Sequence, residues 1–123
     1  MKKLKGTGVA IVTPFKSDSS IDFAALGRVI NHVISGGINY IVVLGTTGET
    51  PTLSKDEKQA VVSYVVEYVD NRVPLIVGIG GNNTQEVVDN IRQADLTGID
   101  GVLSVAPYYN KPTQRGLFQH FKA

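Results

Sequence analysis

Cysteine is absent from this 123-residue sequence. Its absence excludes a disulfide framework, a thiol nucleophile and a metal site built on thiolates, and it fits the cytoplasmic location that we expect. Histidine is scarce as well. His32 and His120 lie far apart without clustered carboxylates, and we expect both to be surface or packing residues. The sequence therefore predicts no metal ion and no other cofactor.

Strong charge of one sign and long apolar runs are also lacking. The 12 basic and 11 acidic residues give a formal net charge of +1, which argues against a nucleic-acid partner because such proteins carry a basic stripe. The small cluster of Lys2, Lys3 and Lys5 is expected to solvate the N-terminus. No apolar run approaches the ~20 residues that span a bilayer, so we expect no membrane partner.

Short apolar runs are the main pattern in the sequence. They are rich in Val and Ile and do not alternate cleanly with polar residues, which is typical of strands buried on both faces of a parallel sheet. The predicted strands are Val9–Val12, Tyr40–Leu44, Leu75–Ile79 and Gly101–Ala106.

An amphipathic helical pattern follows each run. The first pattern ends at Gly36-Gly37. A capping box of Ser54 and Glu57 opens the second, and Pro74 is expected to end it. The third helix is predicted to start near Asn83 or Thr84 and to end at Gly98. The fourth is predicted to start after Thr113.

The alternation of strands and helices favours βαβ units, a parallel sheet and right-handed crossovers. An open doubly wound sheet and a (β/α)8 barrel both fit this order, although the barrel needs eight strands and ~250 residues. The sequence stops inside an apparent helix, at Lys122-Ala123. Either the sheet is complete with the strands present, or the chain is a piece of something longer.

In both arrangements ligands bind at the carboxyl ends of the strands, where polar loops follow here. In Gly45–Thr50, the glycine amides can bind an anion, and Thr46 and Thr47 can bind a carboxylate or relay a proton. The alternative is a tight turn capped by the threonines. In the fourth loop, one of Tyr108 and Tyr109 can pack while the other presents its hydroxyl, or both can close a barrel mouth half-buried.

These loops resemble those of the class I pyruvate-dependent aldolases. Gly45-Thr46-Thr47-Gly48-Glu49 follows a Val-rich strand as in that family. Pro107-Tyr108-Tyr109-Asn110-Lys111-Pro112 is similar to the dihydrodipicolinate synthase branch rather than to the sialic acid lyases, and Val9–Phe15 and Gly116–Phe121 agree. The resemblance covers the whole chain. It implies a (β/α)8 TIM barrel of which residues 1–123 would be about the first four β/α units of a single domain, truncated within helix 4.

The resemblance also implies an activity. Members of that branch are lyases of lysine and diaminopimelate biosynthesis that condense pyruvate with aspartate semialdehyde through a Schiff base on a lysine. Thr46 and Tyr109 would belong to a proton-relay triad, and Thr46 and Thr47 would hold the pyruvate carboxylate. In the family the equivalent of Tyr109 reaches into a neighbouring subunit's site, and members are usually homotetramers built as dimers of dimers.

The family's Schiff-base lysine, third relay tyrosine and substrate-binding arginine lie beyond the matched residues, so the isolated chain is expected to be inactive. Lys111 is not expected to replace the nucleophile, because its neighbours are polar residues and prolines rather than the apolar surroundings that activate an amine. Two alternatives stay open. One is another pyruvate aldolase of the family, of the 2-keto-3-deoxy sugar acid aldolase or N-acetylneuraminate lyase type. The other is a non-catalytic half-barrel assembly module whose open sheet edges pair with another chain.

The family further has a lysine feedback pocket at the dimer interface. Lys55 and Lys58 stand where some lysine-sensitive members have histidine, and two ammonium groups would weaken the binding of a cationic ligand by repulsion. The positions that match the pocket are Thr50, Pro51, Lys55, Lys58, Asn82, Glu86 and Tyr108.

Overall fold

Parallel strands form one sheet, and a helix follows each of them along the chain. The computed structural model describes residues 4–123, so Lys2 and Lys3 lie outside the described residues. All the predicted strands and helices are confirmed, although each strand is shorter than expected. The elements are β1 (Gly8–Ala10), α1 (Phe23–Ser35), β2 (Tyr40–Val43), α2 (Lys55–Val69), β3 (Leu75–Gly78), α3 (Thr84–Gln93), β4 (Gly101–Leu103) and α4 (Gln114–Lys122).

The strands lie side by side in chain order, β1-β2-β3-β4. The register aligns Val9 with Ile41, and Ile41 with Leu75. A doubly wound sheet reverses its strand order at a switch point, which is where its ligands bind. The order does not reverse within residues 4–123, so the sheet is wound in one direction, as in the wall of a barrel.

The main core lies between one face of the sheet and the first two helices. Residues of alternate register, such as Ile41 and Val43, point from the sheet towards α1 and α2, where Leu26 and Val65 are fully buried. The core side chains below 2% exposure are Leu26, Ile30, Ile41, Val43, Val61, Val65 and Val69. This packing fixes the strands on which the polar loops are mounted.

Exposed apolar side chains concentrate at β4 and in the segment that follows it. Val102 is 38% exposed, Leu103 52% and Val105 46%. Within the described part of the chain, β4 pairs only with β3, so its outer edge presents unpaired backbone groups that can accept another strand.

Side-chain caps fix the starts of the last three helices, at the positions where the sequence predicts those starts. Ser54 and Glu57 form the full capping box, in which Ser54 Oγ accepts from the Glu57 amide at 3.2 Å and Glu57 Oε2 accepts from the Ser54 amide at 2.8 Å. Asn83 and Thr113 likewise accept from backbone amides in the first turns of α3 and α4. Each cap marks the residue at which a strand-end loop ends.

The prediction that Pro74 ends α2 was wrong. The helix ends at Val69. Asp70 and Asn71 adopt left-handed backbone conformations, with φ of 44° and 59°, which stop the helix before the proline is reached.

The prediction that α3 runs to Gly98 was also wrong. Ala94 is already extended, with ψ of 135°. The carboxylate of Asp95 accepts from the backbone N–H of Thr97 at 2.9 Å, and such a local side-chain turn competes with helical hydrogen bonds. Gly98, with φ of 78°, lies in the turn that follows.

Among residues 4–123, no helix combines the length and the apolar character needed to cross a bilayer.

Candidate functional site

The loop after β2 is a tight turn that exposes two hydroxyls. Leu44 leaves the strand with φ of 54°, Thr46–Gly48 form one 3-10 turn, and Glu49 takes φ of 55° before a second turn begins. Thr46 and Thr47 are both exposed. Within the described residues no side chain caps the first turn, so the alternative in which these threonines cap it was wrong. Their hydroxyls are free to bind a ligand.

A buried hydroxyl holds this turn from beneath. Thr13 is 4% exposed and lies just past β1. Its Oγ1 donates to the carbonyl of Gly48 at 2.8 Å. Sequence analysis placed Thr13 in a strand-end loop but gave it no role. The signal was present, because Thr13 continues the inward alternation of Val9 and Ile11 and is therefore a polar residue at a buried position.

A glycine of the next strand gives the turn its space. A Cβ atom built on Gly78, at the end of β3, would overlap the carbonyl oxygen of Leu44. The absence of a side chain at Gly78 lets β2 leave the sheet with its left-handed residue at Leu44. Sequence analysis also missed this pair, since the φ of Leu44 is not apparent from its residue type.

The loop after β4 presents both of its tyrosines to solvent. Tyr108 is 57% exposed and Tyr109 95%. Within residues 4–123 neither ring packs into the core, and the predictions of one packed ring or of two half-buried rings at a barrel mouth stay predictions. Tyr109 has φ of 71°, and within the described residues nothing covers the segment that carries it. The backbone N–H of Tyr108 donates to Asn82 Oδ1 at 2.6 Å.

The two histidines occupy different environments. His32 is exposed on α1. His120 is 8% exposed and lies 2.8 Å from Thr84 Oγ1 through its Nδ1, which joins α4 to the start of α3. Their expected roles as surface and packing residues are confirmed. Residues 4–123 contain no group of three or more side chains that could hold a metal ion.

The predicted relay and pyruvate-binding residues follow β2 and β4, two strands separated by β3. Because the strands are parallel, Thr46, Thr47 and Tyr109 belong to the same edge of the sheet. The structure describes no direct hydrogen bond between Thr46 and Tyr109, and it brings them to one end of the fold rather than into contact.

The residues that match the regulatory pocket also lie at this end. Thr50 and Pro51 form the second 3-10 turn, and the two lysines lie in the first turns of α2. Lys55 Nζ donates to Gln93 Oε1 of α3 at 3.0 Å. Of the predicted set, the structure describes one directly bonded pair, namely Asn82 and Tyr108; Glu86 lies in the first turn of α3.

Comparison with known proteins finds relatives that match nearly the whole chain. Residues 3–123 match the model of the dihydrodipicolinate synthetase family. The 4-hydroxy-tetrahydrodipicolinate synthase of Flavobacterium psychrophilum is 56% identical over 122 residues, which are 99% of this chain and 42% of the relative. This chain thus spans about two fifths of the length of the curated relatives that it matches.

Solved structures agree. A dihydrodipicolinate synthase from Bacillus anthracis has a TM-score of 0.92 at 48% identity, covering 99% of this chain and 42% of that one. The pyruvate complex of the dihydrodipicolinate synthase from Acinetobacter baumannii has a TM-score of 0.91 at 42% identity, covering 98% and 41%. These neighbours are TIM barrels, and the four strands and helices seen here correspond to the first units of that barrel. The chain belongs to the dihydrodipicolinate synthetase family.

Proposed function

We propose that residues 1–123 form the amino-terminal part of a single-domain barrel enzyme that condenses pyruvate with aspartate semialdehyde, in lysine and diaminopimelate biosynthesis. The observation that carries the proposal is the pair of exposed hydroxyls at Thr46 and Thr47, on a turn that the buried Thr13 holds from beneath. The family match supports the assignment of substrates. The full-length synthase is the protein encoded by the complete open reading frame that contains these residues.

In this proposal the turn after β2 binds the carboxylate of pyruvate. Hydroxyls and backbone amides at a glycine-containing turn are suitable donors to an anion. Thr13, just past β1, holds the turn by its hydrogen bond to the carbonyl of Gly48, and Gly78 of β3 packs against the carbonyl of Leu44. Such anchoring keeps Thr46 and Thr47 in place before the substrate arrives, which reduces the entropic cost of binding.

Thr46 and Tyr109 would then act as a proton relay. When a lysine amine attacks the carbonyl carbon of pyruvate, a C–N bond forms and the carbonyl oxygen takes up a proton. That oxygen later leaves as water after a second proton transfer, and the imine remains. A chain of hydroxyls can carry both protons. We place the Schiff-base lysine outside these residues, because Lys111 is exposed and lacks the buried environment that activates an amine.

The exposed Tyr109 also supports a proposal on assembly. A phenol that is 95% exposed on one chain can reach the site of a neighbouring subunit, as its equivalent does in the family. We therefore propose a homo-oligomer, a tetramer built as a dimer of dimers. We also propose a cytoplasmic enzyme, which the cysteine-free sequence fits.

The test is a pair of phenol deletions in the full-length synthase. Tyr109→Phe is expected to lower kcat by about 100-fold or more, the usual contribution of a positioned acid-base group, while the ring and its packing are kept. The control is Tyr64→Phe, which removes a phenol of α2 that has no place in the proposed relay. Equal rates for Tyr109→Phe and the unaltered enzyme would contradict the relay.

A second experiment locates the nucleophile. Borohydride reduction in the presence of labelled pyruvate should label the full-length synthase with one equivalent per subunit and leave the isolated 123-residue chain unlabelled. A stoichiometric adduct on Lys111 of the isolated chain would overturn the assignment of the nucleophile. Failure of the full-length synthase to consume pyruvate and aspartate semialdehyde would overturn the proposed function itself.

A further inference from the structure

Asn82, in the loop after β3, and Thr84, at the start of α3, bond to the chain on either side of Tyr109. Asn82 Oδ1 accepts from the backbone N–H of Tyr108 at 2.6 Å, immediately before Tyr109. Thr84 Oγ1 lies 2.8 Å from Nδ1 of the buried His120, on the helix that follows the same segment. One short stretch of chain therefore bonds to the peptide just before Tyr109 and to α4, the helix that follows it.

The backbone of Tyr109 needs such support. Its φ of 71° lies in the left-handed region, which bulky side chains rarely adopt. Unusual backbone conformations persist where the surroundings determine them. Within residues 4–123 the ring cannot supply the constraint, because it is 95% exposed there. The hydrogen bond at the preceding peptide can, since it fixes the direction in which the chain enters the turn.

The loops after β3 and β4 also approach each other closely. A Cβ atom built on Gly80 would lie 2.8 Å from the backbone N of Val105 and 3.3 Å from Ser104 Oγ. The contact between the loops thus begins at Gly80, continues through Asn82 and ends at Thr84. These contacts connect the end of β3 to the segment that carries Tyr109.

We propose that Asn82 is a positioning residue for Tyr109. Its side-chain carbonyl fixes the peptide before the left-handed turn and so sets where the phenol stands beyond the strand ends. The Thr84–His120 bond holds α4, the helix that follows the same segment. This role rests on the proposed function, because it assumes that the phenol of Tyr109 relays protons, and it assigns to Asn82 an action within its own chain in addition to the predicted regulatory pocket.

Substitutions that separate the acceptor from the shape of the side chain test the proposal in the full-length synthase. Asn82→Leu keeps the approximate shape and removes the acceptor, whereas Asn82→Asp keeps the acceptor. Asn82→Leu should lower kcat about tenfold, as expected for a displaced acid-base group, and should leave KM for pyruvate within about twofold because pyruvate is held by another loop. Asn82→Asp should recover most of the lost kcat. The control is Asn90→Leu, which changes an exposed asparagine of α3 and should leave kcat unchanged.

A second readout is independent of activity. Amide hydrogen exchange at Tyr108 should be about fivefold faster in Asn82→Leu than in the unaltered protein, which corresponds to the loss of one ordinary hydrogen bond, and should return towards its original rate in Asn82→Asp. Unchanged exchange in Asn82→Leu would overturn the anchor. Restored protection without restored kcat would overturn its link to Tyr109. If the unaltered full-length synthase lacks the condensation activity, the proposed function fails while the exchange rates still decide whether Asn82 anchors the segment.

Discussion

Thr13 Oγ1 donates to the carbonyl oxygen of Gly48 at 2.8 Å, and so the end of β1 holds the turn after β2. Thr13 is buried, and Gly48 is buried as well. The bond stabilises the fold and positions the exposed hydroxyls of Thr46 and Thr47, because these residues belong to the same short turn as Gly48. A change at Thr13 should therefore affect stability and pyruvate binding together.

Replacement of Thr13 by valine should lower the free energy of unfolding of the full-length synthase by about 1–3 kcal/mol, because the buried carbonyl of Gly48 loses its donor. KM for pyruvate should rise at the same time. Thr13→Ser keeps the hydroxyl and should retain most of the affinity, while Thr7→Val, at an exposed threonine, should change neither quantity. Denaturant unfolding at a fixed protein concentration and steady-state kinetics measure the two effects. A destabilised Thr13→Val variant with unaltered KM would show that the bond does not position the turn.

A methyl group at Gly78 should disturb the same turn from the other side. In Gly78→Ala the new Cβ would overlap the carbonyl oxygen of Leu44, a backbone atom that cannot rotate away. We expect a loss of about 1–3 kcal/mol in stability, as for other overpacked sites, and a kcat/KM for pyruvate that falls with it. In the control Gly81→Ala, the new Cβ would meet Val87 Cγ2 at 3.5 Å, an ordinary contact. Thermal unfolding of the two variants should differ clearly, and equal midpoints would contradict the assigned role of Gly78.

The fold could be predicted largely from the sequence because its rules are local. Runs of Val and Ile, the capping box at Ser54 and Glu57, and the caps at Asn83 and Thr113 each act within a few residues. The errors at Pro74 and Gly98 share a cause. A helix breaker such as Pro74 or Gly98 sets only the latest residue at which a helix can end. Residues that precede the breaker in the chain, such as Asp70 and Asp95, can end the helix earlier.

The candidate site was only partly predictable, because its geometry depends on contacts between distant segments. The resemblance identified Thr46, Thr47 and Tyr109 by residue type, and their exact roles remain proposals. It did not reveal the supporting bonds of Thr13 to Gly48 and of Asn82 to Tyr108, which join residues 35 and 26 positions apart. The left-handed backbone at Tyr109 was also not predictable, since bulky residues rarely adopt such φ values.

The capping box at the start of α2 should make stability depend on pH. The backbone N–H of Ser54, with its hydroxyl, holds the pKa of the Glu57 carboxyl below its ordinary value. A folded-state pKa that is depressed contributes stability above the unfolded value, about 4.3 for Glu, and this contribution is lost as pH falls through the folded value. The stability advantage of the unaltered protein over Glu57→Gln should therefore be present at pH 7 and shrink on acidification below about pH 4.3.

Denaturant unfolding of the unaltered protein and Glu57→Gln at a series of pH values measures that advantage. NMR titration of the Glu57 carboxyl checks its cause: in Ser54→Ala the pKa should move back towards the ordinary value without reaching it, because the backbone donor remains. A stability difference that is constant from neutral to acidic pH would be inconsistent with the capping bond.

Lysine should inhibit the full-length synthase only weakly, because two lysines stand at positions that match the predicted feedback pocket. Lys55 and Lys58 lie in the first turns of α2, and Lys55 is held towards α3 by its bond to Gln93 Oε1 at 3.0 Å. Exposed charge pairs contribute up to about 1 kcal/mol each, so the double variant Lys55→His, Lys58→His should be inhibited at a lysine concentration roughly five- to tenfold lower at pH 8, where histidine is neutral. Added salt should reduce the difference by screening. Lys16→His, at an exposed lysine in the loop after β1, should leave inhibition unchanged. Equal inhibition of the double variant and the unaltered enzyme would mean that these ammonium groups do not oppose the ligand.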